Sequence, residues 1–321
     1  MTKPFKGEIA EENRADRWGA TGLEAVHAKL TVLIPCSNER KNIRDCIRSI
    51  RAVADEILVA DSGSTDGTLE IAAEMGCRII RREYINSADF KNWAIPQAAH
   101  PWVFIIDADE RVPEALLGEV RAVLENPRED LDAYSCGFQD FFMGYALHYA
   151  RWDTESIRLI RRDVCRYQRR RVHANIDIDL NRVGRLKTQI LHYSVWDYED
   201  LIRKYNRYTS WGSRELWDRG RRATFWSLLV RPTLRFLHTY IIRRGFLDGL
   251  PGLQACIMMA FFSTFMKQAK LWQMQSGIAQ PDPEAECETN AVVAFLTRED
   301  FLPRGSSDAS NTGGDSVERA A

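Results

Sequence analysis

The stretch Trp102-Val103-Phe104-Ile105-Ile106-Asp107-Ala108-Asp109-Glu110-Arg111 decides how the rest of the chain is read. Its unbroken apolar run is too short for a globular helix and too continuous for a strand with one wet face. It reads as a strand buried on both faces, a property of parallel sheets. The run stops at Asp107, and Asp109 and Glu110 follow at once. Acids packed at the end of a buried strand are costly unless something cationic sits beside them. In open α/β sheets ligands bind at the carboxyl ends of the strands. Asp-x-Asp suits Mg²⁺ or Mn²⁺, hard cations that take a carboxylate or two together with phosphate oxygens. The plain alternative is a polar turn whose aspartate caps the helix from Pro113 onward.

Outward from this strand, strands and helices alternate. Leu30 to Pro35 is a β-branched run closed by proline, and Ser37 or Asn38 is placed to cap the helix after it. In that helix Ile43, Cys46, Ile47, Ile50 and Val53 share one face. Glu56 to Ala60 is a second strand ending at Asp61, followed by the turn Ser62 to Thr68. The next helix stops at Gly76, before a third strand at Cys77 to Arg81. Residues 87–99 form a helical segment broken at Pro96 and carrying Lys91 and Asn92. A further helix opens at Pro113 and buries Leu116, Leu117, Val120 and Leu124. This alternation implies a parallel sheet with helices on both faces. The expected fold is α/β, Rossmann-like and mostly parallel. After Pro127, Tyr134 to Phe138, Ile157 to Ile160 and Gln189 to Tyr193 read as a mixed edge of the same sheet. From Asp197 to about Gln275 the sequence is helical. The expected divisions are an arm at 1–28, the sheet domain at 29–195, a basic helical region at 196–276 and a disordered tail at 277–321.

At 321 residues there is ample core for one large or two ordinary domains. The net charge of −1 selects no partner. The seven cysteines are odd in number and widely spaced, with no Cys-x-x-Cys, which argues against a disulfide framework or zinc site and for a reducing compartment. The amino-terminal residues lack an apolar core of the signal-peptide kind. No apolar run reaches the roughly 18 to 20 residues that span a bilayer, and Leu253 to Met266 is a 14-residue stretch with no charge. There is no Walker loop and no Gly-x-Gly-x-x-Gly, which disfavours P-loop and nicotinamide enzymes.

The segments Thr31-Val32-Leu33-Ile34-Pro35…Asn38-Glu39, Asp55 to Thr68, Lys91-Asn92-Trp93-Ala94 and Asp107-Ala108-Asp109-Glu110-Arg111 together resemble a family 2 glycosyltransferase with the GT-A fold. The resemblance is to the lipopolysaccharide-core glucosyltransferase type. It runs on through Arg158-Leu159-Ile160-Arg161-Arg162, Arg171-Val172-His173, Leu191-His192-Tyr193, Asn206-Arg207-Tyr208, Arg231-Pro232, Arg235-Phe236-Leu237, Gly245-Phe246-Leu247-Asp248-Gly249 and Lys267 to Trp272, covering about residues 29–275. It implies inverting transfer of a sugar from a nucleoside diphosphate sugar to a hydroxyl of a glycan or glycolipid acceptor. Pro35, Asn38, Glu39 and Asp61 would line the nucleoside pocket. Lys91 would lie near the base or phosphates and Asp107 near the ribose. Asp109, with Asp107 and His173 beside it, would hold the Mg²⁺ or Mn²⁺ that offsets charge developing on the leaving diphosphate. Inverting transfer also needs a base, and Asp153 and Glu155 stand where resembling proteins carry an acid. Relatives often read Val-His-Glu where this chain has Val172-His173-Ala174, which removes one further base.

Between Arg203 and Arg244 there are eleven Lys/Arg against two Asp/Glu, interleaved with Tyr and Trp. A solvated helical face, a nucleic-acid site and an anionic membrane surface are the three readings. No nucleic-acid module surrounds the stretch, and a lipid-linked acceptor favours the membrane. The expected location is therefore cytoplasmic, peripheral on the inner face of the cytoplasmic membrane, with no nucleic-acid partner. A polyprenyl-phosphate sugar transferase and a non-catalytic membrane scaffold are the rival readings.

Overall fold

The chain runs β1 (Leu30–Cys36), α1 (Ile43–Ile50), β2 (Glu56–Asp61), α2 (Thr68–Glu74), β3 (Arg78–Arg81), α3 (Ser87–Ala94) and β4 (Trp102–Ile105), the alternation read from the sequence. The computed structural model describes residues 27–151, 155–168 and 175–277. Asp153, His173, most of the arm and all but the first residue of the tail lie outside the described residues.

β1 is buried nearly throughout because it has a parallel neighbour on each side, β2 and β4. β3 extends the sheet beyond β2, also in parallel. On α1, Ile43, Cys46, Ile47 and Ile50 are buried at the spacing of one helical face, which seats the helix on the sheet. Gly76, at φ 71°, ends the α2 segment in the left-handed conformation that glycine adopts without strain. α3 yields to a 3₁₀ turn, Ile95–Gln97, where Pro96 cannot donate to the helix.

After β4 the chain forms β5 (Glu110–Arg111), α4 (Glu114–Glu125), β6 (Ala133–Phe142), β7 (Tyr145–Ala146), β8 (Glu155–Arg161), β9 (Arg166–Tyr167), β10 (Ile176–Asp177), β11 (Val183–Arg185) and β12 (Ile190–Val195). The sheet order is β3-β2-β1-β4-β8-β6-β12-β5. β8 is antiparallel to both β4 and β6, whereas β6 and β12 are parallel. The expected mixed edge is therefore real, and it curls round to bring β12 against β5.

The helical region comprises α5 (Tyr198–Asp218), α6 (Phe225–Phe236) continued by a π-type segment Leu237–Ile242, α7 (Gly249–Ile257), a second π-type segment Met258–Phe265, and α8 (Met266–Gln275). Thr224 and Ser227 close a reciprocal cap on α6. The Gly245 to Gly249 motif fastens these helices to the sheet. The Asp248 carboxylate accepts the backbone N–H groups of His148, Tyr149 and Ala150 at 3.0, 2.8 and 2.7 Å. A Cβ on Gly252 would lie 2.3 Å from the Gly245 carbonyl oxygen, so the turns there touch backbone to backbone. Ala255 and Cys256 share an apolar cluster with Phe142 and Val195 of the sheet. By compactness the chain divides into Met1–Trp272 and Gln273–Ala321. Counted as a helix, the apolar run is longer than its uncharged core. Gly245–Gln275 is a 31-residue helical run whose best window has mean hydropathy 1.4, enough by length and composition to cross a membrane. The difference arises because the uncharged stretch continues back through Leu250 to Gly249, so that Gly249 to Met266 fills an 18-residue window.

Candidate active site

Because β1, β2 and β4 are parallel and in register, with Cys36 opposite Asp61, their carboxyl ends open on one edge. The loop after β1 is laced to the turn after β2. Asn38, held at φ 55°, receives the Thr65 N–H on its side-chain oxygen at 2.9 Å. Its own N–H donates to Ser64 Oγ at 2.9 Å, and the Glu39 N–H donates to Thr68 Oγ1 at 2.8 Å. This cross-bracing replaces the helix cap expected of Ser37 or Asn38. Asp61, 1% exposed, turns its carboxylate to the N–H groups of Gly63 and Ser64. Pro35 lies one residue before the end of β1, beside Ala60.

At the end of β4 the acids are not a helix cap; α4 begins after Pro113 without a side-chain cap. They form a tight turn in which the Glu110 N–H donates to the Asp107 carbonyl at 2.9 Å and Glu110 Oε2 accepts the Asp107 N–H at 2.9 Å. Each acid has cationic company, as the cost of burying it requires. Asp107 meets Lys91 Nζ at 3.1 Å and Arg158 Nη2 at 3.2 Å. Burial alone would raise its pKa, but these two cations outweigh that and hold it at about 2. Glu110, 1% exposed, also bonds the Arg158 guanidinium. Burial nevertheless pushes it up to about 7, Arg158 offsetting only part of the cost. Arg158 spreads over the Phe138 ring at 5.0 Å and is held charged by the two carboxylates against its own desolvation.

Asp109 faces a different set. Its Oδ2 lies 3.6 Å from His192 Nε2 and 3.7 Å from Lys204 Nζ. Against burial, His192 and then Lys204 keep it well below the usual carboxylate range. His192 arrives because β12 pairs with β5, placing it opposite Glu110. Its Nδ1 is 2.9 Å from Oδ1 of Asp140, which is 1% exposed. Burial opposes charge on the imidazole, but Asp109 and Asp140 prevail and raise its pKa to about 10. Glu39 looks toward this group. Burial first, and then the Asp109 charge, push it up to about 7, and Asn42 donates to its carboxylate at 2.8 Å.

The structure thus gathers Lys91, Asp107 and Asp109 and sets Glu39 beside them. It does not bring Glu155 to them: that carboxylate accepts from Ser135 Oγ at 2.7 Å and pairs with Arg185 at 3.2 Å. Sequence reasoning missed Arg158, His192, Asp140 and Lys204. His192 and Arg158 both fall in segments of the family resemblance, which is the one signal that singles them out.

The donor set fits a divalent ion. An aspartate beside an imidazole Nε2, with Nδ1 anchored on a buried carboxylate, becomes an N/O pair when a cation displaces the Nε2 proton that now faces Asp109. Among the described residues no group of three or more such side chains converges to hold a metal, so remaining ligands would come from the substrate's oxygens.

A Rossmann-like sheet whose carboxyl edge gathers Asp-x-Asp with flanking cations is the framework of a GT-A glycosyltransferase. Residues 31–173 match the model of Glycosyl transferase family 2. A lipopolysaccharide core biosynthesis glycosyltransferase, LpsC of Rhizobium meliloti, is 30% identical over 261 residues, 79% of this chain and 95% of that protein. An uncharacterised glycosyltransferase of Rickettsia typhi is 27% identical over 77% of this chain and 87% of its own length. The chain belongs to glycosyl transferase family 2. Among solved structures, glucosyl-3-phosphoglycerate synthase of Mycobacterium tuberculosis in complex with phosphoglyceric acid overlaps 51% of this chain and 72% of its own at 16% identity and TM-score 0.37. Overlap of that degree bears on neither fold nor ligand.

Proposed function

We propose that this glycosyltransferase is inverting and metal-dependent, and moves a sugar from a nucleoside diphosphate sugar to a hydroxyl of a lipid-linked envelope glycan of the lipopolysaccharide-core kind. The observation that carries the reading is the Asp109–His192–Asp140 chain at the end of β4, with Lys91, Arg158 and Lys204 around it. Likeness to LpsC along nearly its whole length supports the acceptor class.

In this reading Asp109 and His192, its Nε2 proton released to solvent, would hold Mg²⁺ or Mn²⁺, which would act as the Lewis acid offsetting charge on the departing diphosphate. Asp140 keeps the imidazole oriented with Nε2 toward Asp109. Lys204 is placed to swing from Asp109 to a phosphate oxygen. Asp107 is fixed by Lys91 and Arg158 and so keeps a constant position for a ribose hydroxyl. The cross-braced loops around Pro35, Asn38, Glu39 and Asp61 line the nucleoside pocket. Asp153 or Glu155 takes the acceptor proton; the Ser135 and Arg185 contacts of Glu155 make Asp153 the stronger of the two.

The test is release of nucleoside diphosphate from a panel of nucleotide sugars with Mn²⁺, Mg²⁺ or EDTA. Slow metal-dependent hydrolysis of one donor is expected. Full turnover in EDTA would refute the metal's role.

A further inference from the structure

α6 is inside out. Its buried positions include Ser227 and Pro232, and its continuation buries Thr239. Trp226, Leu229, Leu234, Leu237 and Ile241 are 70, 55, 58, 40 and 52% exposed. At 100° per residue these five fall within one broad outward stripe. The neighbouring run repeats the pattern. Leu250, Ile257, Phe261 and Phe265, at intervals of seven, four and four, are 64, 41, 42 and 41% exposed. α6 packs against the Met258–Phe265 segment, with Phe236 and Phe261 rings 6.0 Å apart. Two packed helices therefore each keep an apolar stripe outside, far more than scattered surface hydrophobes account for.

Cations collect beside it. Arg231 lies beyond the edge of the stripe on α6, and Arg235, one turn on, reaches round the helix to Met259, its Nη2 3.9 Å from the sulfur. Lys267 of α8 is close enough to feel both: after burial, Arg235 and then Arg231 lower its pKa, with Glu215 opposing. Among the described residues none of these three makes an ion pair with a carboxylate.

We propose that this surface lies in the plane of an anionic bilayer, the stripes at the headgroup–acyl boundary, Arg231 at their edge on lipid phosphates, and Arg235 and Lys267 behind it adding to the positive field. The proposal deepens the reading above by placing the enzyme where a lipid-linked acceptor is found. Charge complementarity selects an anionic lipid surface. Spanning is disfavoured because the inner side of the Gly245–Gln275 run is already spent. Ala255, Cys256, Met259 and Ala260 are buried, and Asp248 ties the start of the run to residues 148–150. Crossing a membrane would strip those contacts.

The experiment is co-sedimentation of the full chain with phosphatidylcholine vesicles, with and without phosphatidylglycerol, run beside donor-sugar hydrolysis and a melting curve. Binding to the anionic vesicles is expected, with only partial release in high salt because screening spares the apolar part. Trp226→Ser/Leu229→Ser/Leu237→Ser should weaken it about tenfold or more, with melting and hydrolysis unchanged. Arg231→Gln/Arg235→Gln should remove the preference for anionic lipid. Hydrolysis without any vesicle binding overturns this inference and leaves the enzyme reading intact; binding without hydrolysis of any donor does the reverse. Resistance to carbonate extraction would mean a spanning helix. Concentration-dependent dimerisation that the triple substitution abolishes, without vesicle binding, would mean that a second copy covers the face. Either result overturns the in-plane placement.

Discussion

Arg158→Met tests whether the acids at the end of β4 are held by a buried cation. Arg158 is 7% exposed and bonds Glu110, 1% exposed, as well as Asp107. Methionine keeps an unbranched, flexible side chain beside Phe138 while removing the charge. Asp107 retains Lys91 at 3.1 Å, but Glu110 loses its cation. Breaking a buried ion pair from one side costs about 3–5 kcal/mol. Part of that cost is escapable. Glu110 is already pushed up to about 7 with Arg158 present, so without it the carboxyl takes up a proton. The loss should thus be full near pH 8 and smaller by a kcal/mol or two near pH 5, at about 1.4 kcal/mol per unit of pH over the titrating range. The double variant Arg158→Met/Glu110→Gln should recover about 2 kcal/mol or more, since glutamine oxygen still accepts the Asp107 N–H and no charge remains stranded. Urea unfolding of the four proteins at both pH values measures this as a cycle. A single-variant loss under about 1 kcal/mol, or a double variant no better than the single at pH 8, would refute the reasoning.

Asp140→Asn should leave the fold intact and weaken Mn²⁺ binding about 10- to 100-fold, because it disturbs the partner that orients His192; isothermal titration with Mn²⁺ and nucleoside diphosphate checks it. Glu39 is an acid raised on folding from 4.5 to about 7, so its contribution is fully present below 4.5 and is lost as pH rises through 7. Glu39→Gln should therefore be more stable than the parent at pH 8, by up to about 3 kcal/mol, and nearly equal to it at pH 4.5; urea unfolding at the two pH values shows whether the gap closes. If Asp153 is the base, Asp153→Ala should lose about 10²–10⁴ in transfer yet bind donor normally. Glu155→Ala should then keep most activity, and a steady-state comparison of the pair distinguishes them.

The parallel half of the sheet was legible because buried strands and amphipathic helices leave local patterns: the five-residue run before Asp107, the spacing of Ile43 to Ile50, the glycine at 76. The site was legible only where it is local to those strands. Asp107 and Asp109 could be placed from a strand end and Lys91 from the family resemblance, whereas the roles of Arg158 and His192 could not be placed. Arg158 comes from an antiparallel strand inserted beside β4, and His192 is carried in by β12 pairing with β5. Such long-range pairing has no period in the sequence. Burial of a hydrophobic face likewise cannot be read from composition alone, which is why the outward stripe of α6 appears only in three dimensions.

The central claim is that Asp109 and its neighbours hold a metal and a nucleoside diphosphate together. Thermal unfolding with nucleoside diphosphates, each with Mn²⁺ and with EDTA, tests it most directly. At about 100 times Kd a ligand of the folded state adds about 2.7 kcal/mol. One nucleoside diphosphate should raise the melting temperature of the parent only when Mn²⁺ is present, and should fail to raise that of Asp109→Asn above the variant's own ligand-free value. Stabilisation that is equal in EDTA, or retained in full by Asp109→Asn, would contradict the account.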